Sequence, residues 1–202
     1  MSSALATPST GNAYRGPARW PLSVEAYHSL GEMGLIPEKT ELLHGLVYHK
    51  MSKSPLHRLL VLRLLQLLQA CLPPGHFLQS EQPLTFSDSE PEPDVSIVKG
   101  SVEDFPESHP TTAELVVEVC VTSHDYDREK LSAYAAAGVK EAWLVLGPER
   151  QVEVFRRPEA GRYAESQVPR RIRFWPAPPC QGSPCRCRNC SAPELKLGRR
   201  CR

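Results

Sequence analysis

Two acidic residues interrupt runs that otherwise read as buried strands. Asp94 opens the β-branched run Val95, Ile97, Val98, and Glu118 breaks into Leu115, Val116, Val117 and Val119. A carboxylate inside a buried strand costs several kcal/mol in order of magnitude unless something pairs with it. Two that converge on neighbouring strands repel unless a cation sits between them. A hard divalent ion resolves that conflict, and Mg²⁺ typically uses one or two carboxylates plus waters and substrate phosphate. Lys130, on the helix that follows, would then stabilise developing negative charge. Each residue also has a plainer reading: Asp94 as a solvated loop acid, Lys130 as an i,i+3 partner of Asp127. Glu118 is harder to dismiss, because valines flank it on both sides. Two further residues are candidates. Glu41 would add a carboxylate to the site or end its strand in water. His57 would touch substrate, assist a proton transfer, or bond to backbone as a structural histidine.

The elements that must position these groups follow from pattern. Ser23 is a plausible N-cap, with Val24, Tyr27 and Leu30 at helical spacing and Gly31 and Gly34 ending the helix. His44-Gly45 between two apolar runs signals a hairpin, with Glu41 leading its first strand. Ser54 and Pro55 start the longest predicted helix, 56–72, which Pro73-Pro74-Gly75 stops. Its apolar face is read as Leu59, Leu60, Leu64, Leu67, Leu68 and Cys71. Residues 77–86 predict a strand pair or bent strand interrupted by Pro83, and the Asp94 and Glu118 strands flank a polar loop over 99–112. Asp127 is placed as the cap of a helix running to Ala137 and stopped by Gly138. Tyr134 lies one turn beyond Lys130 and is read as packing only. Strands at 141–146 and 151–156, joined by a turn, complete an α/β or α+β domain with a central mixed sheet.

The 202 residues suffice for one domain with a sizeable core. The formal net charge of +1 conceals a split: residues 1–168 carry 15 Lys and Arg against 22 Asp and Glu, and residues 169–202 carry 9 against 1. Cys71 and Cys120 stand alone in the body, which fits a reducing cytoplasm better than a disulfide framework. Residues 1–17, Ser/Thr/Ala-rich without an apolar core, predict a disordered terminus rather than a signal peptide. No apolar segment of membrane-spanning length occurs, so no membrane partner is expected. From Pro169 the chain is rich in Arg, Pro and Cys and loses all apolar periodicity, which predicts disorder. This composition matches out-of-frame translation of GC-rich coding sequence, a hypothesis that sequencing the gene past codon 168 tests. Cys185, Cys187 and Cys190 there lack the turn and strand context of a zinc ribbon and are read as incidental thiols.

In order along 20–163 stand the segments TELLHGLVY, MSKSPLH, EPEPDVSIV, LVVEVCVTS, YDREKLSAYAAAGVKEAWLV and VEVFR. Together they resemble the bacterial putative restriction endonuclease family, a branch of the PD-(D/E)XK nuclease superfamily. The resemblance implies a restriction-endonuclease-like α/β core, a mixed sheet flanked by helices, over residues 18–168. It carries the aspartate of the motif onto Asp94 and its central acid onto Glu118. The usual motif lysine falls on Cys120, so the chain looks like variants whose lysine has moved to the next helix, at Lys130. Glu41 looks like the additional N-terminal acid.

The expected activity is metal-dependent hydrolysis of DNA phosphodiester bonds. Asp94 and Glu118 would hold Mg²⁺, with Mn²⁺ as a substitute, Lys130 would complete the catalytic set, and Glu41 and His57 would be accessory. The expected partners are DNA and further copies of the chain, as a homodimer or higher homo-oligomer, in the cytoplasm. The competing reading is a catalytically inactive nucleic-acid- or protein-binding module on the same fold; a second is an accessory protein whose basic tail binds nucleic acid electrostatically.

Overall fold

The computed structural model describes residues 18–122 and 124–168. The segments 1–17 and 169–202, with their predicted disorder, the cysteine cluster and the frame question, lie outside the described residues.

Ser23 caps α1 (Val24–Glu32) by accepting from the Ala26 N–H, as its position before the first periodic residue predicts. The next element is the hairpin of β1 (Thr40–Leu43) and β2 (Leu46–His49). His44 and Gly45 both take positive φ, 50° and 73°, the pattern of a type I′ turn. Glycine is required at 45 for a second reason, since a Cβ there would lie 2.3 Å from that of Pro21. The hairpin forms a sheet of its own. In the central mixed sheet, which holds the other six strands, it takes no part.

Ser54 caps α2 (Pro55–Ala70), whose buried stripe is Leu60, Val61, Leu64 and Leu68. The expected face is therefore rotated: Leu59 is 39% exposed and Cys71 ends up in solvent. Leucines surround most of this helix, so composition does not mark the side that meets the sheet.

The six-stranded sheet runs in the order β3 (His76–Gln79), β4 (Val95–Lys99), β5 (Leu115–Cys120), β6 (Glu141–Leu146), β7 (Gln151–Glu159), β8 (Arg162–Gln167). Every pairing is antiparallel except β5 with β6, which are parallel and joined by α3 (His124–Ala136). Such a parallel pair needs a crossover connection, and α3 supplies it. Two departures from expectation stand out here. Residues 77–86 yield only the end of β3, and the rest is loop whose backbone pairs locally, Leu84 to Pro91 and Phe86 to Ser89. The strand β8 was not expected, because RYAESQ is polar at almost every position and only half-covered at Tyr163.

β5 is buried along its whole length and sorts its side chains by alternation. Leu115, Val117 and Val119 pack with Leu60, Leu64 and Trp143 on the α2 face. Val116 packs with Leu43, Ala133 and Tyr134 on the opposite face, under α3 and the hairpin. Glu118 shares the parity of Val116 and so points to the α3 face.

The hairpin is tied to α3 through a histidine. Ser132 Oγ donates to the Glu129 carbonyl at 2.9 Å, so the 2.8 Å contact with His44 Nε2 must have the ring donating. His44 Nδ1 faces Asp88 at 3.5 Å. Asp88, against the opposing effect of burial, holds the His44 pKa above its usual value, with Glu129 adding to it. A raised folded-state pKa means stability that is full below the ordinary histidine value and lost as pH rises through the folded one. Replacing His44 by Gln should therefore flatten the stability–pH curve from about pH 6 upward, as read by urea unfolding across that range.

Candidate active site

Extending the β4–β5 ladder by one step from Val95 opposite Val117 sets Asp94 abreast of Glu118. A hydrogen bond fixes the arrangement: the Val119 N–H donates to Asp94 Oδ2 at 2.8 Å. His57 Nε2, reaching from the first turn of α2, lies 3.0 Å from the same oxygen. Lys53 Nζ stands 3.5 Å from Asp94 Oδ1. Burial alone would raise the Asp94 pKa, but His57, the Val119 N–H and Lys53 together bring it below the ordinary carboxylate value.

Lys130 is the centre of the other half. Its ammonium lies 3.0 Å from Glu41 Oε2 and 3.2 Å from Glu118 Oε1, and all three side chains are about 95% buried. Glu41 is held in turn by the Glu92 N–H at 3.0 Å. Tyr134, fully buried, donates its hydroxyl to Glu118 Oε1, and the Tyr126 ring lies 5.1 Å from Lys130 Nζ. Burial disfavours the lysine's charge, yet Glu118 and Glu41 outweigh it and hold the amine protonated well above its normal range. One ammonium does not neutralise the carboxylates gathered here. Burial pushes Glu118 up to about 8 despite the pull of Lys130, with Asp94, Asp127 and Glu41 adding repulsion.

The five sequence candidates therefore come to one cleft, which Glu41, His57, Asp94, Glu118 and Lys130 all line. Asp127 joins them in the lining but not as a helix cap: α3 begins at His124, which leaves Asp127 buried in the first turn. Lys130 accordingly sits in the second turn of α3 rather than the first. Cys120 is buried against Leu144 and Leu146, and burial pushes its thiol pKa up, away from ionisation. Among the described residues no group of three or more His, Cys, Asp or Glu is arranged to hold a metal ion.

With this geometry in view, a family model described as Uma2, putative restriction endonuclease, matches residues 24–182. The chain belongs to this family. The match begins at α1 and runs past residue 168. A solved structure with the same architecture is a putative nuclease belonging to DUF820 from Anabaena variabilis ATCC 29413, with a TM-score of 0.61 at 18% identity. The likeness covers 73% of this chain and 84% of that one, and it establishes the restriction-endonuclease-like fold. No curated protein matches the chain. Among the described residues no helix is long and apolar enough to cross a membrane.

Besides Asp127, two side chains that contact this family member's paired carboxylates escaped the sequence reading. Tyr134 holds Glu118 rather than merely packing, and Lys53 reaches Asp94 from the loop before α2. The signal for Tyr134 was its i+4 offset from Lys130, which stacks both on one helix face. Its phenol ring explains the miss, since tyrosine at that spacing also suits a core. Tyr134→Phe keeps the ring and removes the donor. It should cost about 1.5–3 kcal/mol, the worth of a hydrogen bond to a charged group, in urea unfolding above pH 8, where Glu118 is ionised.

Proposed function

We propose that the chain is a metal-dependent endodeoxyribonuclease that hydrolyses phosphodiester bonds in DNA. The observation that carries this reading is the pair of abreast carboxylates, Asp94 and Glu118, with a buried lysine on the second of them. The donor set fits a hard divalent cation: both groups offer carboxylate oxygens, and the single buried ammonium beside them is shared between Glu118 and Glu41. Asp94 and Glu118 would hold Mg²⁺ or Mn²⁺. When bound, such an ion lowers the pKa of water and polarises the scissile phosphate.

The protein's own groups do the rest. Asp94, its carboxyl kept ionised by His57 and the Val119 N–H, offers a fixed anionic oxygen at the cleft. Tyr134 and Lys130 both donate to Glu118 Oε1 and so set its orientation. Lys130, permanently protonated, stabilises charge developing on the phosphate, and its position is set from the far side by Glu41. Membership in a family of putative restriction endonucleases supports DNA as the substrate.

The test is cleavage of mixed DNA substrates, duplex, nicked, branched and single-stranded, with Mg²⁺ or Mn²⁺. Cutting that requires the metal supports the reading. A well-folded protein that neither cuts nor gains melting temperature with either metal is instead the non-catalytic binding module.

A further inference from the structure

A groove adjoins the cleft between the start of α2 and the loop after β3. Lys53, Ser54, Arg58, Leu62, Ser80 and Glu81 line it, and Lys53 and Ser54 belong to both hollows. Its volume, about 490 Å³, falls in the range of roughly 300–1,000 Å³ typical of ligand sites. We propose that this groove seats the DNA backbone flanking the scissile bond, with Lys53 and Arg58 as phosphate contacts and Glu81 as an acid that restrains affinity. The proposal rests on the nuclease reading above and extends it to the path of the strand.

Charge placement is the first argument. The body of the chain is acidic, with 15 basic against 22 acidic residues up to position 168, so its surface as a whole repels a polyanion. Phosphate contacts must then come from cations concentrated beside the site. Lys53 meets that need: its ammonium lies 3.5 Å from Asp94 Oδ1, at the edge of the reacting position, and 40% of its side chain is exposed. Arg58, exposed on α2, continues the basic rim away from the cleft. No acid occupies the first turn of α2 to oppose an anion there.

The second argument is how Lys53 is held. It pairs with Glu81 Oε1 at 2.7 Å, and half of the Glu81 side chain is exposed. Ion pairs this open are worth little, so an incoming phosphate displaces Glu81 at small cost. Glu81 is nonetheless kept in place, with φ at 57° and its N–H donating to the Pro93 carbonyl beside Asp94. Ser80 Oγ donates to the Asp94 carbonyl at 2.7 Å. The wall of the groove is thus pinned to the backbone at Pro93 and Asp94, just before β4, and the floor, Val61, Leu62 and Leu65 of α2, is apolar enough for sugar and base edges.

The experiment is anisotropy titration of fluorescein-labelled oligonucleotide with the full chain, in EDTA so that nothing is cut, over a series of salt concentrations. Lys53→Gln and Arg58→Gln should each weaken binding about tenfold and lower the slope of log K against log salt by about 1. Glu81→Gln should tighten binding about two- to fivefold. The basic tail is common to all variants and cancels in the comparison. Unchanged affinity and slope in both cation variants, or weaker binding by Glu81→Gln, overturns the groove. A chain that binds with these signs but does not cut in the separate assay with Mg²⁺ or Mn²⁺ keeps the groove and removes the nuclease reading. One that cuts, with binding indifferent to all three substitutions, does the reverse.

Discussion

Replacing Lys130 by Met should destabilise the protein by about 3–5 kcal/mol, because it strands buried carboxylates without their cation. The methionine fills most of the space, so the loss measures charge rather than a cavity. Glu41 and Glu118 lie 3.0 Å and 3.2 Å from the ammonium, and their side chains are only 5% and 4% exposed, so water cannot substitute for it. The deficit should depend on pH in a definite sense. Glu118 already titrates at about 8 in the folded protein, against 4.5 as a free group. Without the lysine its folded pKa rises further, the native state binds the extra proton, and stability falls as pH climbs from the free value through the folded one. Urea unfolding at pH 5 and pH 8.5 checks this. A deficit that is equal at both, or smaller at the higher pH, would mean that Lys130 is not what holds the acids together.

Asp94→Asn should lower metal-dependent cleavage by at least about 10²–10³-fold, the scale seen when one fixed electrostatic group is lost from a site. The amide is nearly isosteric, but it removes the anionic oxygens beside His57, Lys53 and the Val119 N–H. A second readout does not depend on turnover. A metal that binds only the native state adds about 2.7 kcal/mol at a hundredfold excess over its dissociation constant, and the melting shift produced by Mn²⁺ should disappear in the variant. An Asp94→Asn protein that keeps both the shift and the cutting would falsify the assignment of this residue.

Asp94 and Glu118 were legible because an acid among β-branched residues is a local contradiction that only a partner resolves. Pairing register then did what sequence could not: it set them side by side. Lys130 could be placed on a helix, but the start of that helix was set at Asp127, three residues beyond its actual opening at His124. The choice of Asp127 as cap hid its burial in the site. α2 shows a different limit. Its leucines outnumber the positions the sheet can cover, so Leu59 and Cys71 were assigned to a core they do not reach. β8 left no trace because an edge strand facing solvent needs neither alternation nor an apolar face. The hairpin turn could be read from His44-Gly45, whereas its separation from the main sheet is a tertiary outcome with no local cause.

The separate hairpin has a consequence for when the molecule becomes complete. Asp94, Glu118 and Lys130 belong to one continuous stretch, whereas Glu41 comes from a two-stranded piece made much earlier in synthesis. That piece is held by distant partners: Glu90 on Leu42, Ser132 on His44, Glu92 and Lys130 on Glu41. Contacts of such long sequence separation form late, after the loop entropy has been met. A chain still emerging from the ribosome therefore holds Glu41 in waiting until α3 has been translated and folded beneath it. On the nuclease reading, the cleft is complete only once both pieces have folded together, with Glu41 and Glu118 on the same ammonium.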